Sequence, residues 1–298
     1  MNRYRVRHYT SYAYSEPVSS SQHSAHVCPR SCPRQRVVSS NSEITPQPEQ
    51  WRRYHDFAGN VVDDFAISSS YYCCSLAVES IVEVDPAPLL SACSYKGSWQ
   101  DWSAQCRILP WQQRKQIADY LFPSNATPAE DSVIAWSAQT FSPGRPLVES
   151  VCELNQRIFN EFTYTPGVTD VDTPHATIMQ QRHGVCQDFA HLMLAALRAH
   201  GLPARYVSGY LETVPPPGQA RLVGADASHA WVGVWLPDLG WVDFDPTNNI
   251  LVGERHITTA WGRDYHDVTP LKGIVVGGGM HSVTVSVDVE GLNESPQA

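Results

Sequence analysis

The chain has 298 residues, 42% of them hydrophobic and 17% charged, enough to bury one large core or two of ordinary size. Its 21 Lys and Arg against 30 Asp and Glu leave a net charge of -9, which argues against a nucleic-acid partner. No apolar run approaches the ~20 residues of a membrane span. Nothing apolar follows Met1-Asn2-Arg3-Tyr4-Arg5-Val6, so neither membrane insertion nor a secretory leader is expected, and a cytoplasmic location is.

The first ~85 residues alternate with period two. Tyr4 to Tyr9 and Val78 to Val84 read as strands, and Ile67 to Tyr72 does so more loosely. Turn chemistry separates the runs at Ser15-Glu16-Pro17, Pro29 to Pro33, Pro46-Gln47-Pro48 and Gly59-Asn60. This pattern predicts an antiparallel β-sandwich-like unit over residues 1–88, closed by Asp85-Pro86-Ala87-Pro88. Cys73 and Cys74, adjacent in a strand, should point to opposite faces.

Residues from about 110 to 200 are expected to be helical. Leu147, Val151, Leu154, Ile158 and Phe162 fall on one helix face, and Phe189, Met193, Ala196 and Leu197 on another. Gly201-Leu202-Pro203 stops the second helix. The period then returns to two, giving strands over Ala204 to Glu212, His229 to Leu236, Trp241 to Asp245 and, after a turn at Gly277-Gly278-Gly279, Ser282 to Val289. Helices followed by an antiparallel sheet predict an α+β domain over residues 89–298.

Eight cysteines in a cytoplasmic chain should be reduced thiols. Cys186 stands out because it opens the second helix, where unpaired N-H groups and the positive end of the helix dipole favour a thiolate nucleophile; a small buried hydrophobe at a helix start is the plainer reading. A base is then required. His229 begins a strand whose core face is Ala230, Val232, Val234 and Leu236, leaving His229, Trp231 and Trp235 on the other face. On the next strand Val242 and Phe244 continue the core face, so Trp241, Asp243 and Asp245 share the face of His229. Pairing Leu236 with Gly240 places Asp245 diagonal to His229 and within reach, with Asp243 as the fallback acid. His183 and His191 near Cys186 could mimic a metal site, although zinc needs three or four converging ligands and no metal or other cofactor is expected.

Three segments, Gly184 to Ala190, Ser228-His229-Ala230-Trp231-Val232 and Gly240 to Thr247, together resemble the transglutaminase-like superfamily, papain-related enzymes with Cys-His-Asp order. Gly201 to Tyr210 is similar to the helix-to-strand link of that family. Tyr4 to Thr10 and Asp56 to Asn60 resemble the β-rich region that precedes it in many bacterial members. The resemblance implies a papain/transglutaminase-like domain with Cys186 as nucleophile, His229 as general base and acid, and Asp245 orienting the imidazole. It also implies thioester chemistry on peptide or glutamine-type amides of a peptide or protein substrate. The Cys186 N-H is the natural first oxyanion donor, and Gln180, Gln181 and Tyr164 are candidates for the second. Hydrolysis by a cysteine peptidase or amidase is favoured over cross-linking by a protein-glutamine transglutaminase. A non-catalytic interaction module of the same fold is the remaining alternative. The loop Thr213 to Ser228 is the expected rim of the site.

Overall fold

A computed structural model describes residues 1–213 and 227–292. Five strands occupy the first third of the chain: β1 (Asn2–Ala25), β2 (Gln35–Thr45), β3 (Gln50–His55), β4 (Val61–Ile67) and β5 (Tyr71–Val84). They form an antiparallel sheet in the order β2-β5-β1-β4-β3. Alternation sets the inward face, with Tyr4, Val6, His8 and Thr10 all buried. Ile44 on β2 and Phe65 on β4 share one core although two strands separate them, and the Ser42 hydroxyl donates to Asp63 Oδ2 at 2.8 Å across the gap. The sheet therefore curls on itself into the sandwich-like unit expected. Cys73 is exposed and Cys74 buried, as opposite faces require.

Two expected features of this region are corrected. Ser15-Glu16-Pro17 is not a turn between strands but an irregularity within β1, whose register against β5 shifts between Ala13 and Val18. Pro17 has no N-H to contribute to a ladder, and a bulge needs none there. Ile67 to Tyr72 is not a strand either: β4 ends, Ser68 and Ser69 donate backbone N-H groups to the Glu49 carboxylate at 2.7 and 3.1 Å, and β5 begins.

Six helices follow: α1 (Trp99–Cys106), α2 (Trp111–Ile117), α3 (Asp131–Ser137), α4 (Leu147–Glu161), α5 (His175–Gln181) and α6 (Cys186–Ala199). The predicted row on α4 is fully buried from Leu147 to Ile158, and Phe162 continues it just beyond the helix in extended backbone. α6 is buried all round from Asp188 to Arg198, because α3, α4 and α5 cover the side that the sheet leaves open. It ends as predicted: Gly201 has φ +72°, its N-H bonds to the Arg198 carbonyl at 2.9 Å, and the Leu202 N-H reaches the Leu197 carbonyl at 3.0 Å.

A two-residue parallel pair, β6 (Thr163–Tyr164) and β7 (His183–Gly184), brackets α5. The second sheet contains β8 (Ala204–Leu211), β9 (Ala227–Leu236), β10 (Gly240–Asp245), β11 (Ile250–Leu251) and β12 (His256–Gly262), in the order β11-β10-β9-β8-β12. Gly240 lies opposite Leu236 and Phe244 opposite Val232, which is the register read from the hydrophobic pattern. Ala230, Val232, Val234, Leu236, Val242 and Phe244 form the core with α6, while Trp231 packs on the reverse face with Val207 and Val252.

The last two strands, β13 (Leu271–Gly277) and β14 (His281–Gly291), are joined by the predicted glycine turn, where Gly277, Gly278 and Gly279 have φ of +92°, +90° and +61°. They do not extend the second sheet. Both pair with β1, β14 along Tyr4 to Tyr14 and β13 along Val18 to Ala25. A division into 1–88 and 89–298 therefore splits a sheet the chain builds from both ends. The physical reason is a shared core: Val287 and Val289 pack with Tyr4, Val6 and Val82, and Tyr210 and Ile257 of the second sheet join the same cluster. Among the described residues no helix is long and apolar enough to cross a membrane.

Candidate active site

Cys186 is the first residue of α6, half-buried, after the N-cap Val185. Asp188 organises this turn by accepting the Val185 N-H at 2.8 Å and the Thr169 hydroxyl at 2.7 Å on Oδ2. Gly184 is needed for room rather than for an unusual φ: a Cβ there would lie 2.9 Å from Asp188 Oδ2 and 3.0 Å from Asp188 Cβ. The backbone N-H groups of this first helical turn have no acceptor within the helix.

His229 lies at the start of β9, and the structure brings it to both expected partners. Its Nε2 is 2.8 Å from Asp245 Oδ2. The Cys186 thiol is its other hydrogen-bonding partner, which leaves Nδ1 as the ring nitrogen for the sulfur. Asp245 is wholly buried at the end of β10 and accepts from five donors. Oδ1 takes the N-H groups of Thr247 (3.0 Å) and Asn248 (3.2 Å), and Oδ2 takes His229, the Asn248 amide (2.7 Å) and His256 Nε2 (3.2 Å). Asp243, the fallback acid, points elsewhere, accepting from Trp231 Nε1 at 3.3 Å and facing Arg205 at 3.8 Å.

These contacts fix the electrostatics. Burial acts to lower the His229 pKa, but its bonds to Asp245 and Cys186 outweigh that and hold the imidazole well above its ordinary range. Burial likewise works against the Asp245 carboxylate, and the donors from His229, His256 and Asn248 overcome it and depress its pKa. His256 is lowered, chiefly by burial despite its bond to Asp245, so it serves as a neutral donor through Nε2.

His256 is the site residue that the sequence reasoning missed. It belongs to β12, a strand buried on both faces with no alternation to reveal it. The donor atoms of His229, Asp245 and His256 lie within 4.8 Å of one another, a spacing a metal ion could use. The Asn248 amide argues against that use: its NH2 group, 2.7 Å from Asp245 Oδ2 and 3.4 Å from His229 Nε2, presents protons to the same space. His183 and His191 do not gather around Cys186 as ligands. His183 bonds the Thr165 hydroxyl at 2.9 Å, and His191 is buried in the core, taking the Tyr265 N-H at 3.2 Å.

Of the three candidate second oxyanion donors, Tyr164 lies near the nucleophile, since β6 pairs it with Gly184, and its pKa is raised by burial and then by the neighbouring Cys186. Gln180 and Gln181 are exposed at the end of α5. The expected rim, Thr213 to Ser228, falls mostly outside the described residues. Cys186 and His229 open into a cleft of about 510 Å³. A separate cavity of about 560 Å³ is lined by Arg205, Trp241, Trp261 and His256 and does not include the sulfur.

Comparison with known proteins bears on the family and the fold. Residues 134–246 match the model of the transglutaminase-like superfamily, and residues 4–83 that of the bacterial transglutaminase-like N-terminal region. An uncharacterized protein of Mycobacterium tuberculosis is 41% identical over 295 residues, covering 97% of this chain and 92% of its own. A protein-glutamine gamma-glutamyltransferase of Pseudomonas aeruginosa is 39% identical over 104 residues, covering 34% of this chain and 16% of its own length. A crystal structure from Cytophaga hutchinsonii, of a protein provisionally described as a cysteine protease, superimposes with a TM-score of 0.75 at 20% identity, covering 99% of this chain and 92% of that one.

Proposed function

Because this chain belongs to the transglutaminase-like superfamily and carries its bacterial N-terminal region, whose members are generally cysteine-dependent enzymes, we propose that it is an acyl-transfer enzyme acting on peptide or glutamine-type amides, hydrolytic rather than cross-linking. The observation that carries the reading is the bond of 2.8 Å from His229 to a buried, five-fold hydrogen-bonded Asp245, on an imidazole that also meets the Cys186 sulfur. In this scheme the sulfur attacks the amide carbonyl carbon as a thiolate, its proton already held by His229. The tetrahedral oxyanion rests on the Cys186 N-H with Tyr164 nearby. Collapse breaks the C-N bond, His229 returns the proton to the leaving amine, and a thioester remains. Water, deprotonated by His229, then releases the acid and the thiol.

Hydrolysis is favoured because the nucleophile is only half-buried, so water has a route to the thioester. The second reading, amine transfer, is favoured by the likeness to the Pseudomonas glutamyltransferase segment. A cytoplasmic location is part of the proposal, supported by eight cysteines that are all free thiols. The test is a panel of peptide amides and a glutaminyl peptide offered with a primary amine, scoring free acid against incorporated amine. Free acid should dominate, and Cys186→Ala should lower turnover on the order of 10⁴-fold or more. Turnover retained by Cys186→Ala would refute the proposal.

A further inference from the structure

We infer that the cleft takes an acyl donor whose residue beside the reactive amide is uncharged and apolar, held against a wall supplied by the curled sheet. This inference rests on the acyl-transfer reading and assigns it a substrate class. Cys186 and His229 line one side of the cleft; the opposite side is β1 and β14, through Thr10, Tyr12, Val285 and Val287. By register Thr10 lies opposite Val285 and Tyr12 opposite Val283, so the two strands present a strip of neutral side chains. Val287 is fully buried at its inner end, while Val285 is 53% exposed, apolar surface that a bound side chain would cover.

Among the described residues lining the cleft there is no Asp, Glu, Lys or Arg. His8, on the same wall, has both ring nitrogens engaged, Nε2 with Thr10 Oγ1 at 2.8 Å and Nδ1 with the Tyr210 hydroxyl at 3.1 Å, and burial holds its pKa down to about 4. Away from the Cys186 and His229 pair, a charged side chain entering this space gives up water and meets no counter-charge among the described lining residues, whereas a leucine or phenylalanine exchanges water for valine and tyrosine surface.

The experiment compares N-acetyl-aminoacyl chloromethyl ketones carrying Leu, Phe, Lys or Glu side chains, with iodoacetamide as a probe too small to need the wall. In each case the sulfur displaces halide, and the second-order rate at Cys186 is read by peptide mass. Leu and Phe probes should react at least about tenfold faster than Lys and Glu probes, the discrimination an apolar pocket gives. Val285→Glu should lower the Leu-to-Lys rate ratio about tenfold or more, each rate taken relative to that of iodoacetamide on the same variant. Equal rates for the four side chains on a chain whose Cys186 reacts with iodoacetamide would overturn the wall alone. A Cys186 inert to iodoacetamide while other cysteines react would instead overturn the acyl-transfer reading, and the wall with it.

Discussion

The substitution Asp245→Asn keeps shape and removes charge. The side-chain oxygen of this variant can still accept the two turn N-H groups, but an amide NH2 then faces His229, His256 and Asn248, all of which donate to Oδ2 in the parent. At ~3 Å and an effective dielectric of ~20, a carboxylate and an imidazolium attract by about 5 kcal/mol, or roughly four pKa units before the cost of burial is set against it. Loss of that charge should therefore drop the His229 pKa by at least about two units, back toward its ordinary range. The assay is the pH dependence of iodoacetamide alkylation at Cys186. Its upper limb, where the imidazole loses its proton, should move down by about two pH units or more, and catalytic turnover should fall on the order of 10⁴-fold. Thermal unfolding run alongside should show a loss of about 1–3 kcal/mol, since buried donors lose a charged acceptor. An unshifted upper limb in a folded variant would mean that Asp245 does not govern His229.

Two further outcomes follow from the same contacts. His256→Phe removes one donor from Asp245 Oδ2 and should lower turnover about 10- to 100-fold, the weight of a hydrogen bond to a charged group, whereas His256→Gln, which keeps an N-H in reach, should recover much of it; equal losses in the two variants would make the role one of packing alone. Burial holds His8 and His175 at pKa about 4 and His191 at about 3, so their stabilising contribution is complete above the unfolded value near 6.5 and is lost as pH falls toward 4. Each loses about 1.4 kcal/mol between pH 7.5 and 5.5 and His229 with its raised pKa gains a similar amount, so these four groups together cost about 3 kcal/mol. At ~0.6 kcal/mol per degree for a chain of 298 residues, this should lower the melting temperature by roughly 5 °C, with the lowered His23, His200 and His256 acting in the same direction. A melting temperature that is flat or rising over that interval would contradict the burial of these imidazoles.

What could be read from the amino acids was whatever local periodicity and short connections fix. The β9–β10 register was accessible because Val232, Val234, Val242 and Phe244 must face one core across a short hairpin, and that register alone brings Asp245 to His229. The start of α6 at Cys186 and its stop at Gly201 carry equally local signals. Contacts between distant segments were not accessible. β12 alternates nothing because both its faces are covered, so His256 gives no sign of reaching Asp245. The irregular stretch at Ser15-Glu16-Pro17 has the composition of a turn, and only the opposing 277–280 segment, whose Gly278 carbonyl accepts the Glu16 N-H at 3.1 Å, shows it to be part of β1. The same long-range pairing hides the wall of the cleft, since nothing in Val283 to Val287 announces that its partner strand is the first one.

The pairing of β14 with β1 also has a consequence for how the molecule is made. Tyr4 meets Gly291, and the Leu292 N-H bonds the Arg3 carbonyl at 2.7 Å, so one edge of the opening strand stays uncovered until β14 has been made. The sulfur and its imidazole partner are synthesised well before Val285 and Val287. A nascent chain thus holds its reactive group before it holds the surface that selects what reaches it, and discrimination is installed after reactivity.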